Sequence, residues 1–143
     1  MKIVNTKFLT GVVMGLICQS LQARVELKKA YIGKAPPSIQ VLGGYGIFQN
    51  LSEDEFIFTK IKCQGFDKVE FHETIVDSKG YAKMVSLEEL KIGAREKVSF
   101  VPGGKHFMLY KSQMWDGPSK EAKCTFYHKK GKYDWNLKYV KVQ

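Results

Sequence analysis

Two histidines and two methionines, His72, Met84, His106 and Met108, are the side chains of this sequence best suited to hold a soft metal ion. Eleven residues separate His72 from Met84, twenty-one separate Met84 from His106, and one separates His106 from Met108. Thioether sulfur is a neutral, soft donor that favours Cu(I), and imidazole serves copper in either oxidation state. With no carboxylate in the set, calcium, magnesium and manganese are poor matches. Zinc is also a weaker candidate, because it prefers thiolate or imidazole to thioether. The four residues fall on three separate segments, so only a folded domain can gather them.

The elements that must do so read as strands. Gly and Pro punctuate short apolar runs, and no segment keeps a helical period for long. Strands are expected over Val25–Ile32, Gly44–Gln49, Phe56–Cys63, Val69–Val76, Tyr81–Val85, Lys97–Val101, His106–Lys111, Ala122–Tyr127 and Tyr133–Val140. Turn-rich stretches such as KAPPS, DSKG, VPGGK and HKKGK lie between them. Many short strands with such turns predict one all-β domain, an antiparallel sandwich or barrel over residues 24–143. SLEEL, with Ser86 and Glu89 at capping-box spacing, predicts about one helical turn.

Strand side chains alternate between faces. His106 and Met108 therefore share one side, while Phe107 and Leu109 share the other and suit a core. Likewise Val69 and Phe71 oppose Glu70, His72 and Thr74. Two ligand-bearing strands thus place their candidates away from the apolar face, where a packing methionine would have little to bury against. Lys83 and Val85 leave the facing of Met84 open. Pro102-Gly103-Gly104 predicts a tight turn that sets where the HxM strand begins. His128 and Met114 lie off the spacing, and His128, beside a KKGK turn, reads as simply solvated.

Residues 1–23 have the form of an export signal. Lys2 and Lys7 make a basic start, Phe8 to Cys18 an apolar run, and Ala23 a small residue for cleavage. Leu21 is large for its position, and cleavage after Ser20 is the alternative. The run is about half of the roughly 20 apolar residues that a membrane span needs. Ile17 before Cys18 does not suit a lipidation box. Cleavage would remove two lysines and no acid, lowering the formal charge from +9 to +7. Export argues against nucleic acid as partner. The basic residues are also scattered, apart from Lys28-Lys29 and Lys129-Lys130, and form no phosphate-gripping tract. A basic surface suits solubility or an acidic protein partner. Cys63 and Cys124 remain; in an oxidising compartment such a pair reads first as a disulfide, with two buried thiols as the alternative.

These residues resemble the periplasmic copper chaperones of the PCu(A)C family. The resemblance runs from about Val25 to Val142 and is densest in VEFHETIVDSKGYAKM and AREKVSFVPGGKHFMLY, the latter similar to the family's PGGxHxML signature. The family pattern is His, an optional Met, ten residues, Met, twenty-one residues, His, any residue, Met. His72, Met84, His106 and Met108 fall on it, with Glu73 in the optional-Met slot. The resemblance implies a cupredoxin-like Greek-key β-fold, one surface Cu(I) site and delivery of copper to the CuA centre of cytochrome c oxidase or another copper-transfer protein. Val85 stands where members often carry Arg. The ending KYVKVQ lacks the His- and Met-rich tail of many members, so a single site is expected.

The expectation is a monomeric, periplasmic copper carrier rather than an enzyme; no nucleophile–base pair, phosphate loop or carboxylate pair competes. The alternatives are a copper scavenger with the same site, an immunoglobulin-like interaction module with incidental His and Met, and a thiol reductant working through Cys63 and Cys124.

Overall fold

A computed structural model describes residues 24–113 and 120–141; the export-signal expectation and Met114 fall outside them. Ten strands follow in chain order: β1 (Val25–Lys34), β2 (Val41–Asn50), β3 (Phe56–Cys63), β4 (Phe66–Val76), β5 (Ala82–Leu87), β6 (Leu90–Ile92), β7 (Lys97–Phe100), β8 (Lys105–Lys111), β9 (Glu121–His128) and β10 (Gly131–Lys141). Their sheet order is β5-β4-β8-β7-β2-β1-β10-β9-β3-β6. Pairing of β3 with β4, where Ile61 faces Val69, closes the eight strands from β4 round to β3 into a barrel. Closure satisfies the backbone ladder without exposed edges. Strands β5 and β6 are left outside it, on β4 and β3.

Alternation fills the barrel. Phe48, Phe58, Phe100, Phe107 and Phe126 are fully enclosed, with Ile32, Leu90, Ile92, Leu109 and Leu137. Phe48 is the centre: rings of Phe58, Phe100, Phe107, Phe126 and Trp135 surround it at 5.4–6.0 Å, mostly edge-on. Edge-to-face contacts of this kind add about 0.5–1.5 kcal/mol each beyond the area they bury. Cys63 and Cys124 stand opposite each other on β3 and β9, and their sulfurs form a disulfide, with Cα atoms 4.0 Å apart.

The structure departs from the sequence reading in three places. SLEEL is not helical: Ser86 and Leu87 belong to β5, and Leu90 opens β6. The reason is period-two burial, because Leu90 and Ile92 enter the core opposite Phe58 and Phe56 while Lys91 points out. Buried Asn50 reinforces this arrangement by donating from Nδ2 to the carbonyls of Asp54, Ile92 and Gly93. Strand β2 begins at Val41, before the expected start. Its glycines mask the pattern, yet a Cβ on Gly44 would stand 2.9 Å from the side chains of both Leu109 and Phe107. Finally, the sheet is not wholly antiparallel. β1 runs parallel to β10, and β7 parallel to β8.

Candidate metal centre

Strand β4 is long enough to serve two neighbours. Along one edge its first half meets β3 to close the barrel and its second half meets β5, while β8 pairs with the other edge from Phe66 to Glu73. There His72 is paired with Ser86 on β5 and with His106 on β8. Glu70 is opposite Met108, and Thr74 is opposite Met84. Paired residues point to the same side of a sheet, so Met84, His72, His106 and Met108 share the outer face. His72 is at the centre. It faces His106 directly and is the diagonal neighbour of Met84 on one side and Met108 on the other. Such diagonals are about 7–8 Å apart, within reach of a long side chain. The register thus settles the facing that the sequence left open for Met84.

The turn before β8 positions His106. Gly104 N–H donates to Val101 O at 3.0 Å, with Pro102 and Gly103 between them, and Gly103 has φ +82°. A type II turn requires that left-handed geometry at its third residue, which glycine adopts without strain. The turn leaves the Gly104 carbonyl aimed at two donors: the Thr74 amide at 3.1 Å and His106 Nδ1 at 3.0 Å. At the same end of the face, the β4–β5 turn is tied by Asp77 Oδ1, which accepts from the amides of Lys79 and Tyr81.

Both imidazoles are enclosed, His72 at 8% and His106 at 6% exposure, whereas Met84 is 59% exposed and Met108 half-buried. Each imidazole has one nitrogen engaged. A carbonyl only accepts, so His106 carries its proton on Nδ1 and leaves Nε2 as a lone pair. His72 Nε2 lies 3.1 Å from Glu70 Oε2. Lys68 beside Glu70 holds its carboxyl below the usual carboxylate range, against the opposing effect of burial, so this partner is an acceptor as well. His72 therefore presents Nδ1. Those two nitrogens, His72 Nδ1 and His106 Nε2, are buried and have no hydrogen-bond partner. A buried polar atom left unpaired costs about 1–3 kcal/mol, so two on adjacent strands call for a ligand.

Residues adjacent in sequence fall elsewhere. Glu73, opposite Lys105 and bonded to it at 2.6 Å, alternates to the other face, as does Val85 across from it. His128 is not merely solvated: it is half-buried against Phe56, ring centroids 4.6 Å apart. The Cys63–Cys124 disulfide is enclosed in the core, which argues against a cycling thiol pair. Among the described residues, no three His, Cys, Asp or Glu side chains gather as a metal cluster, and no helix is long and apolar enough to cross a membrane. Glu70 and the Gly104 carbonyl escaped the sequence reading of the site. Glu70 could have been found from its place two residues before His72 on the same face.

The fold defines the class. The chain resembles the copper-bound PCuAC domain from PmoF2 with a TM-score of 0.66, at 14% identity, over 82% of this chain and 93% of that one. The solution structure of apo-DR1885 from Deinococcus radiodurans superposes with a TM-score of 0.61, at 19% identity, over 99% and 95%. The apo PCuAC domain from PmoF1 gives 0.63 at 13% identity, over 82% and 94%. At such identities the likeness is one of fold, here the cupredoxin-like one. No curated protein sequence matches the chain. A family profile described as "Putative lipoprotein LpqE-like" matches residues 25–133. The chain belongs to that family, the PCu(A)C family of copper-chaperone-type domains.

Proposed function

We propose that this protein is an exported copper chaperone that carries one Cu(I) on His72, Met84, His106 and Met108 and passes it to the CuA centre of cytochrome c oxidase. The observation that carries this reading is the pair of buried, unpartnered nitrogens, His72 Nδ1 and His106 Nε2, on a face shared with two methionines. Two neutral imidazole lone pairs and two thioethers form a soft, uncharged donor set, which suits Cu(I) over Cu(II) and over hard cations. The relation to a domain whose structure is copper-bound points the same way.

The arrangement also suits transfer. The imidazoles are recessed and fixed from behind by Glu70 and Gly104, while Met84 stands exposed on the edge strand β5. An incoming ligand can reach the metal on the Met84 side without opening the barrel. The family's lipoprotein description fits export; residues 1–23 would supply the cleaved signal and place the protein in the periplasm. With residues 1–23 removed, the formal charge of +7 suits an acidic acceptor, acting mainly on association rate.

The test is a Cu(I) titration of the protein against a competing chelator. One equivalent held through the chelator supports the site, and no binding overturns it. Transfer to an apo CuA domain in the presence of that chelator separates a chaperone from a scavenger, which would retain its copper.

A further inference from the structure

Alternation places Lys68, Glu70 and His72 in a row on the outer face of β4, with Tyr110 opposite Lys68 and Met108 opposite Glu70 on β8. The Glu70 carboxylate is the junction of this row. One oxygen takes Lys68 Nζ at 2.7 Å, and the other lies 3.1 Å from His72 Nε2. The Tyr110 hydroxyl lies against Met108 Sδ at 4.0 Å, and the Tyr110 ring carries Lys68 above it, 5.3 Å from the centroid. Lys68 holds the carboxylate; the carboxylate holds His72.

We propose that Glu70 is the positioning residue of this site: by accepting the Nε2 proton of His72, it fixes the tautomer and ring orientation that present Nδ1 to the metal. This role rests on the copper reading above. The two imidazoles differ in what orients them. His106 is held by the Gly104 carbonyl, part of the backbone, and no side-chain replacement removes that hold. His72 depends on a side chain. Without Glu70, its proton could move to Nδ1, and the nitrogen facing the site would then carry a hydrogen in place of a lone pair. A carboxylate behind a coordinating imidazole also raises its basicity as a ligand. Loss of such a partner typically costs about 10–100-fold in metal affinity.

The experiment reads the tautomer first. In the metal-free wild type, long-range 1H–15N NMR at neutral pH should show His72 protonated on Nε2. Glu70→Leu should redistribute the proton toward Nδ1 and lower Cu(I) affinity about 10–100-fold, with little change in melting. Glu70→Ala serves if leucine disturbs the fold. Glu70→Gln keeps an acceptor oxygen and should restore the Nε2 tautomer and most of the affinity. Glu73→Gln, the neighbouring carboxylate on the other face, should change neither readout. An Nδ1-protonated His72 in the wild type, or a Glu70→Leu protein with unaltered tautomer or unaltered affinity, overturns the proposal. A wild type with the expected tautomer but no Cu(I) binding instead overturns the copper reading, so the two failures are distinguishable.

Discussion

The barrel interior and the outer face of β5, β4 and β8 are built from the same strands to opposite rules. On β8, Phe107 and Leu109 point inward and are fully enclosed, while His106 and Met108, the residues between and before them, point outward. Inside, aromatic rings meet edge-on and a disulfide joins β3 to β9. Outside, two imidazoles are enclosed with a nitrogen each left unpaired, and a large apolar side chain, Met84, is exposed. A region built for stability alone would do neither. Two-residue alternation lets one strand hold both regions, so substitutions one position apart should act on different properties.

The sharpest break of this division replaces sulfur with carbon. Met84→Leu and Met108→Leu keep volume and apolarity, and at packing sites such swaps cost under about 1.5 kcal/mol. Each variant should melt close to the wild type and lose Cu(I) affinity by orders of magnitude in a chelator competition. Met114→Leu, off the motif, should bind normally. If both ligand-site variants bind like the wild type, the four-residue site is wrong.

The converse substitution is Phe48→Ala. Truncating a fully buried phenylalanine costs about 3–5 kcal/mol, and Phe48 touches five other rings. Chemical denaturation should show that loss. Cu(I) affinity, measured where the variant remains folded, should stay near the wild-type value. An equal loss of both would show that the outer face depends on core packing and has no independence of its own.

Reducing Cys63–Cys124 probes the same division more gently. The bridge closes a separation of 61 residues, for which chain entropy gives about 4 kcal/mol. Denaturation with reductant should show a loss of that order or somewhat less, with Cu(I) binding retained by the folded protein. Copper loss on reduction of the folded protein would instead tie the disulfide to the site.

How far the sequence revealed these two regions follows from where period two is readable. Where apolar and polar residues alternate cleanly, as in Val69–Thr74 and His106–Leu109, both the strand and its inward face were legible, and β3 has the expected bounds. The residues of β6 alternate too, but only three of them do so, and a capping-box pattern beside them suggested a helix. Long-range pairing was beyond reach. That Met84 lies opposite Thr74, that β1 runs parallel to β10, and that Cys63 faces Cys124 are consequences of register between distant segments. The proton positions on His72 and His106 depend on a carboxylate and a carbonyl brought near by that register, so spacing alone could not supply them.

The smallest effect belongs to the third histidine, which lies away from the candidate ligands and sharpens the comparison for that reason. His128 lies at the end of β9 between Phe56 and Tyr133, with ring centroids at 4.6 and 5.6 Å. The Lys130 amide donates to its Nδ1 at 3.3 Å, a bond that needs the lone pair. Burial first, and then the nearby Lys130 charge, hold its pKa below the ordinary value of 6.5. A histidine lowered in the folded state is protonated more readily when unfolded. Its contribution is therefore full above pH 6.5, falls as the pH drops below that value, and levels off once the native imidazole also protonates. His128→Gln removes the titration. Denaturation curves between pH 7.5 and pH 5 should then show a slightly shallower loss of stability in the variant, with Cu(I) affinity at neutral pH unchanged. Parallel curves for the two proteins would show that His128 does not contribute to the acid response.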